Sequence, residues 1–323
     1  MIPRRKMRLG TLALMVLAAV ALGAPLLAND RPLILLRGEG LQFPALGEIP
    51  LLGRLLEQPG WSRRDWSLPQ QSERWRLAPP IPYSYRQVSL ADRYAPPSWR
   101  HILGADALGR DLAARVIHGT TVSLQVGLVS TSVALAIGVL LGALAGFSGR
   151  AADFVVSRGI EVALAFPTFF LLLAVLSFLP PSVPLLAVVI GLTRWPSLAR
   201  YTRAEVMRLA RAPLVEAARA AGAGPARVLF LHILPHSLTP VLVAATFQMA
   251  GAMLVEAGLS FLGFGVPEPL PSWGGLLSQA QGSGRWWLVL FPGLALTLAI
   301  TTIQTLGDQY RDKLDPRLSR LQP

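Results

Sequence analysis

The sequence predicts an all-α polytopic membrane protein, and three observations carry that expectation. Hydrophobic residues make up 52% of the 323-residue chain, too large a share for an ordinary soluble domain. These residues gather into six long apolar segments. The arginines fall into alternate connections between the segments, as the orientation rule for membrane helices requires.

Taken in order, residues 9–28 and 122–147 carry no charge. Each is long enough for the roughly 20 residues that cross about 30 Å of hydrocarbon. Residues 162–193 are also uncharged but too long for one span, and Pro180-Pro181-Ser182-Val183-Pro184 divides them into two helices joined by a tight turn. The fourth span is the shortest, because Arg194, Trp195 and Pro196 follow it directly. Residues 237–255 and 286–307 complete the set.

Arg4, Arg5, Lys6 and Arg8 precede the first span, Arg150 and Arg158 join the second to the third, and Arg200, Arg203, Arg208, Arg211, Arg219 and Arg227 lie between the fourth and fifth. On the other side the turn at 180–184 has no charge, and only Glu256, Glu268 and Arg285 separate the last two spans. Both termini and the loop 200–236 are therefore expected in the cytoplasm. The net charge of +12 then has a topological cause, and nucleic acid is not an expected partner. Residues 9–28 also fit a cleaved signal peptide, with a basic start and a small-residue end at Leu26-Leu27-Ala28. The other five spans keep their orientation under either reading. With no cysteine in the chain, disulfides, thiolate metal sites and cysteine nucleophiles are excluded.

Four regions follow: 1–28, a basic stretch and first helix; 29–120, an extracytoplasmic segment; 121–307, a core of five further helices; and 308–323, a cytoplasmic tail. The second region is rich in proline and aromatic residues, among them Trp61, Trp66, Trp75, Tyr83, Tyr85, Tyr94 and Trp99, and is expected to form an irregular ordered lobe. It reads either as a passive cover or as a contact for an extracytoplasmic binding protein.

The loop 200–236 carries the most pattern. Pro213 suits a first helical position, residues 216–221 are mostly good helix formers, and Gly222 to Gly224 can stop a helix. Pro225 reopens helix and Pro235 is expected to close it. Glu216 lies in the first turn, where a carboxylate offsets the positive helix end by roughly 0.3–1 kcal/mol. Capping alone would explain it.

Chemistry of other kinds is missing. The only lysines are Lys6 and Lys313, neither in a glycine-rich strand-to-helix turn, so the chain has no phosphate-cradling loop and is not its own ATPase. His232 and His236 are separated by Pro235, with no glutamate placed as in a zinc protease helix. Gly263-Phe264-Gly265 lacks the third glycine of a dinucleotide fingerprint and reads as a loop.

Glu216-Ala217-Ala218, three residues, Gly222, nine residues and then His232-Ile233-Leu234-Pro235 resembles the EAA loop in membrane subunits of binding-protein-dependent ABC importers. Histidine at 232, where the wider family has isoleucine, is common in its peptide and nickel branch. The segment from His101 to Asp111 with Ala114, Arg115 and Gly119 is similar to the run before the second span of dipeptide, oligopeptide and nickel permeases, although Ala105 stands where threonine is usual. The run from Leu259 to Gly265 with Pro267, Pro269, Pro271, Trp273 and Gly274 is similar to that group's loop between its last two spans. The tail, Leu306-Gly307-Asp308, Arg311-Asp312 and Leu314-Asp315-Pro316-Arg317, matches as well. Together these point to the DppC/OppC-like member of a permease pair.

The resemblance implies six helices in the type I importer permease fold, a second homologous permease, and an extracytoplasmic solute-binding protein. Two ATP-binding cassette ATPase subunits would bind ATP and Mg, leaving no cofactor in this chain. In that scheme Glu216, Ala217, Ala218, Gly222, Leu234 and Pro235 form the ATPase-coupling surface. The expected solutes are peptides or nickel complexes. Candidates for the translocation path are Glu161, Gln248, Glu256 and Gln304, with Arg158 one turn before Glu161 offering it an ion-pair partner instead. Two other classes remain: a secondary transporter or channel, which would need charges deep in the spans, and a membrane scaffold, which gives no reason for the loop spacing.

Overall fold

The computed structural model describes residues 4–37, 40–48, 66 and 73–314. Trp61, Ser67 and the tail residues Asp315, Pro316 and Arg317 lie outside the described residues. Helices are α1 (Arg4–Leu27), α2 (Leu112–Phe147), α3 (Arg150–Ala165), α4 (Thr168–Leu176) and α5 (Val183–Leu209). They continue with α6 (Pro213–Ala220), α7 (Pro225–Phe261), α8 (Trp273–Gln279) and α9 (Trp286–Leu314).

Most of α1, all of α2 and α7, and α9 to Asp312 are long and apolar enough to cross a bilayer. The third span departs from the expected single helix. Helices α3 and α4 bend by 79° at Phe166-Pro167, because a residue before proline is pushed out of the helical region, and Phe166 is extended at φ −86°, ψ 133°. Counted as one span, this pair is the fifth. The sixth segment, α5, is 27 residues long. It opens with Ser182 accepting the Leu185 N–H at 3.4 Å. The expected end near Arg194 is absent. Helix α5 carries Pro196 within it and runs on to Leu209, so its second half is charged and its apolarity falls below that of the other spans.

The chain divides into two compact units, one of residues 1–14, 125–256 and 299–323, the other of 15–124 and 257–298. In the first, Gly138, Gly142 and Gly146 recur every four residues along α2 and face α5. A Cβ on Gly142 would lie 2.6 Å from the Ala199 carbonyl oxygen, and one on Gly146 2.9 Å from that of Arg203. Missing side chains let the two backbones touch, as in small-residue helix pairs within membranes. Arg203 then ties α5 to α3, its Nε and Nη2 donating to the two carboxylate oxygens of Asp153. Gly142→Leu is expected to cost at least the 1–3 kcal/mol typical of an overpacked core, read as a lower unfolding midpoint of the detergent-solubilised protein.

The second unit adds a small sheet to the irregular lobe expected over 29–120. Its strands β1 (Ile34–Arg37), β2 (Gly40–Gln42) and β3 (Glu73–Leu77) form an antiparallel sheet with β1 in the centre. Leu35, fully buried, packs with Trp66. Sheet formation here depends on pairing across a long sequence gap, which local composition does not report.

Candidate functional site

Helix α6 is anchored through one residue and largely exposed elsewhere. Pro213 begins it where a backbone N–H would have no acceptor. Val215, 1% exposed, packs with Ala143, Val206, Val228 and Ile233, while Glu216, Ala217 and Arg219 are exposed and Ala218 is half-buried. Gly222 ends the helix at φ 83°, and the Ala223 N–H returns to the Ala218 carbonyl at 3.0 Å, the bond that satisfies a helix C-terminus across a left-handed residue. Nothing lies within 4 Å of where a Gly222 Cβ would be, so backbone conformation, rather than space, calls for glycine there.

Pro235 does not close the next helix. Residues Val228–Ile233 widen into a π-helical turn and α7 continues through Pro235 to Phe261. The wider turn shifts the hydrogen-bond pattern just where Pro235 supplies no N–H. Leu234 is half-buried and lines an apolar groove of about 630 Å³ with Leu140, Ala143 and Phe230. Pro235 is exposed.

The proposed path residues fall in different settings. Glu161 is half-exposed and paired with Arg158 at 2.5 Å. Glu256 is fully buried and Gln304 exposed. Gln248 exchanges hydrogen bonds with Arg194 of α5.

A network that the sequence reading did not foresee joins two of its motifs in the second unit. Arg115, 1% exposed, reaches Asp106 at 2.5 Å, Gln279 at 2.9 Å and Glu268 at 3.1 Å. Arg110 donates to Asp106 and to Glu268, each at 2.7 Å. Turns with positive φ at Gly104 and Gly109 bring Asp106 back under both guanidiniums, and its Oδ1 also accepts the Leu108 and Arg110 N–H groups. Nearby, Asp111 accepts the Ala114 N–H at 2.8 Å, fixing the start of α2, and meets His101 Nδ1 at 2.9 Å. Trp273 donates to the Val116 carbonyl at 3.2 Å, with Gly119 leaving room for its ring.

Burial alone would push the Asp106 carboxyl up, but Arg115 and Arg110 outweigh it and hold it below the ordinary 3.8. Glu268 is likewise opposed by burial and held below 4.5 by the same two arginines. Asp111 goes the other way, because its burial exceeds the help of the Ala114 N–H and His101. A depressed carboxylate contributes stability above its unfolded pKa and loses it as pH falls through the folded value. Asp106 and Glu268 therefore make acid destabilising from about pH 4.5 downward, with Asp111 opposing them. Unfolding midpoints measured from pH 6 to pH 3 should fall, and fall less steeply in Asp106→Asn.

A family model described as the binding-protein-dependent transport system inner membrane component matches residues 138–320. A peptide permease of Brucella ovis is 42% identical over 241 residues, covering 73% of this chain and 80% of the relative. The di/tripeptide transport system permease protein DppC of Pseudomonas aeruginosa is 41% identical over 231 residues, covering 69% and 76%. The dipeptide transport system permease protein DppC of Alkalihalophilus pseudofirmus is 38% identical over 237 residues, covering 73% and 78%. The chain belongs to the family of binding-protein-dependent transport system inner membrane components. Among solved structures, an inward-facing form of the MetNI methionine ABC transporter aligns with a TM-score of 0.52 at 22% identity, covering 62% of this chain and 97% of the other. An amino acid ABC transporter aligns at 0.50 and 18%, covering 62% and 95%. The shared fold is that of type I importer permeases, and the chain is a multi-pass inner-membrane component.

Proposed function

We propose that this chain is one of two permease subunits of an ATP-driven importer of peptides. The observation that carries the reading is α6: a short helix pinned by Val215, ended by Gly222, with Glu216 and Arg219 exposed. A helix so held transmits force to the bundle beneath it, while its exposed face is free to sit on another protein. That protein is an ATP-binding cassette ATPase, which binds ATP and Mg; no phosphate-cradling loop in this chain could do so. Two such subunits closing on ATP would move α6 of each permease and turn the path from inward-facing to outward-facing.

The solute arrives from an extracytoplasmic binding protein at the surface formed by the segment 29–120. Peptides are the solute class because the relatives described above carry that name. Loop 200–236 and both termini are cytoplasmic in this reading, and the segment 29–120 is outside. Reporter fusions after Ala221 and Arg317 should report the cytoplasm and one at Ser67 the exterior; a cytoplasmic signal at Ser67 would overturn the map. For the function itself, proteoliposomes holding the permease pair, ATPases and binding protein should take up a dipeptide with ATP and without a membrane potential. Uptake that needs the potential and ignores ATP would favour a secondary transporter.

A further inference from the structure

Arg194, within α5, has no acid to neutralise it among the described residues. It lies eleven residues into α5 from Val183, about 16 Å along the axis at 1.5 Å per residue; with α5 as a span entered at Val183, as the permease reading has it, that is near the middle of a hydrocarbon layer about 30 Å thick. Its Nη2 donates to Gln248 Oε1 at 2.5 Å, and Gln248 Nε2 donates back to the Arg194 carbonyl at 3.3 Å. Its Nε is buried with no hydrogen-bond partner, and no carboxylate pairs with it among the described residues. Gly251, one turn beyond Gln248 on α7, leaves the guanidinium its space: a Cβ there would lie 2.5 Å from Nη2.

A neutral amide orients this cation but does not cancel its charge. Three other arginines on α3 and α5 differ in that respect: Arg203 holds Asp153, Arg208 holds Glu205 and Arg158 holds Glu161. Charged side chains at such depth face cavities or pathways and mark the ions or solutes that pass. A planar guanidinium with donors to spare matches a carboxylate. We propose that Arg194, oriented by Gln248, binds the carboxylate of the solute in transit, so that the path takes solutes with a free carboxylate such as a peptide C-terminus. The proposal rests on the permease reading above.

The binding protein would impose its own preference, so the test leaves it out. The purified permease pair with its ATPases, free of nucleotide, is titrated with tritiated dialanine and with dialanine C-terminal amide. Wild type should bind dialanine at least tenfold more tightly than the amide. Arg194→Gln, shown to retain its ATPase subunits, should bind both equally weakly, and Arg194→Lys should restore the preference. Equal binding of the two ligands by wild type, or undiminished dialanine binding by Arg194→Gln, overturns the site. The same complexes with binding protein added are then assayed for ATP-driven dialanine uptake. No uptake by wild type counts against the permease reading and the site with it; uptake together with equal binding of the two ligands counts against the site alone.

Discussion

Glu216→Lys is expected to leave the chain folded in the membrane and to abolish ATP-driven uptake. The structural cost is small. An exposed charge in the first helical turn shifts stability by about 0.3–1 kcal/mol, and α6 is held by the neighbouring buried Val215. Under the proposed coupling role, what changes is the face offered to the ATPase. Losing one charge-assisted hydrogen bond of about 1.5–3 kcal/mol weakens docking by roughly tenfold to over a hundredfold, and reversing the charge adds repulsion. Gly222→Val should give the same phenotype by another route. It places a β-branched residue at φ 83°, a conformation that costs about 1–2 kcal/mol for residues with a Cβ, and so tilts the end of α6. Both variants should appear in membranes at wild-type levels while co-purified ATPase and uptake fall. Normal uptake in both would remove α6 from the coupling mechanism.

Arg115→Met should be the most destabilising single change in the network around Asp106. It strips a fully buried cation from Asp106, which is itself 1% exposed, and breaking a buried pair from one side typically costs about 3–5 kcal/mol. Glu268→Gln removes a partner that is 52% exposed, so its effect should stay near the 0–1 kcal/mol of a surface pair. Adding Asp106→Asn to Arg115→Met should recover part of the loss, because the stranded charge disappears with it. Thermal unfolding of the four proteins checks the order, and equal midpoints for Arg115→Met and Glu268→Gln would show that burial does not set the energetics here.

How far the sequence led depends on the range of the interaction. Uncharged runs such as 122–147 need only their own composition to declare a span, and Gly222 between Ala221 and Ala223 needs only local backbone preference to declare a helix end. Pro235 does not mark a helix end because the π-helical turn that accommodates it involves residues Val228–Ile233. Phe166 and Pro167 hid a 79° bend inside an apolar stretch, since hydropathy averages over direction. The spacing of Gly138, Gly142 and Gly146 is a local signal for close packing, but which helix it packs on is not. The Arg115 to Glu268 contact spans 153 residues, and only the folded chain brings its ends together. Arg194 was read as the end of a span for the same reason: its partner, Gln248, lies on another helix.

The absence of native cysteine makes a direct test of the coupling surface simple. Arg219→Cys places a single thiol on the exposed face of α6, and a cysteine-to-lysine cross-linker applied to the intact transporter, followed by peptide mass spectrometry, identifies its neighbour. An ATP-binding cassette ATPase cross-linked through the thiol at position 219, with no such product from Leu90→Cys in the segment proposed to lie outside, is the expected result. An ATPase that cross-links from position 90 but not from position 219 would contradict it.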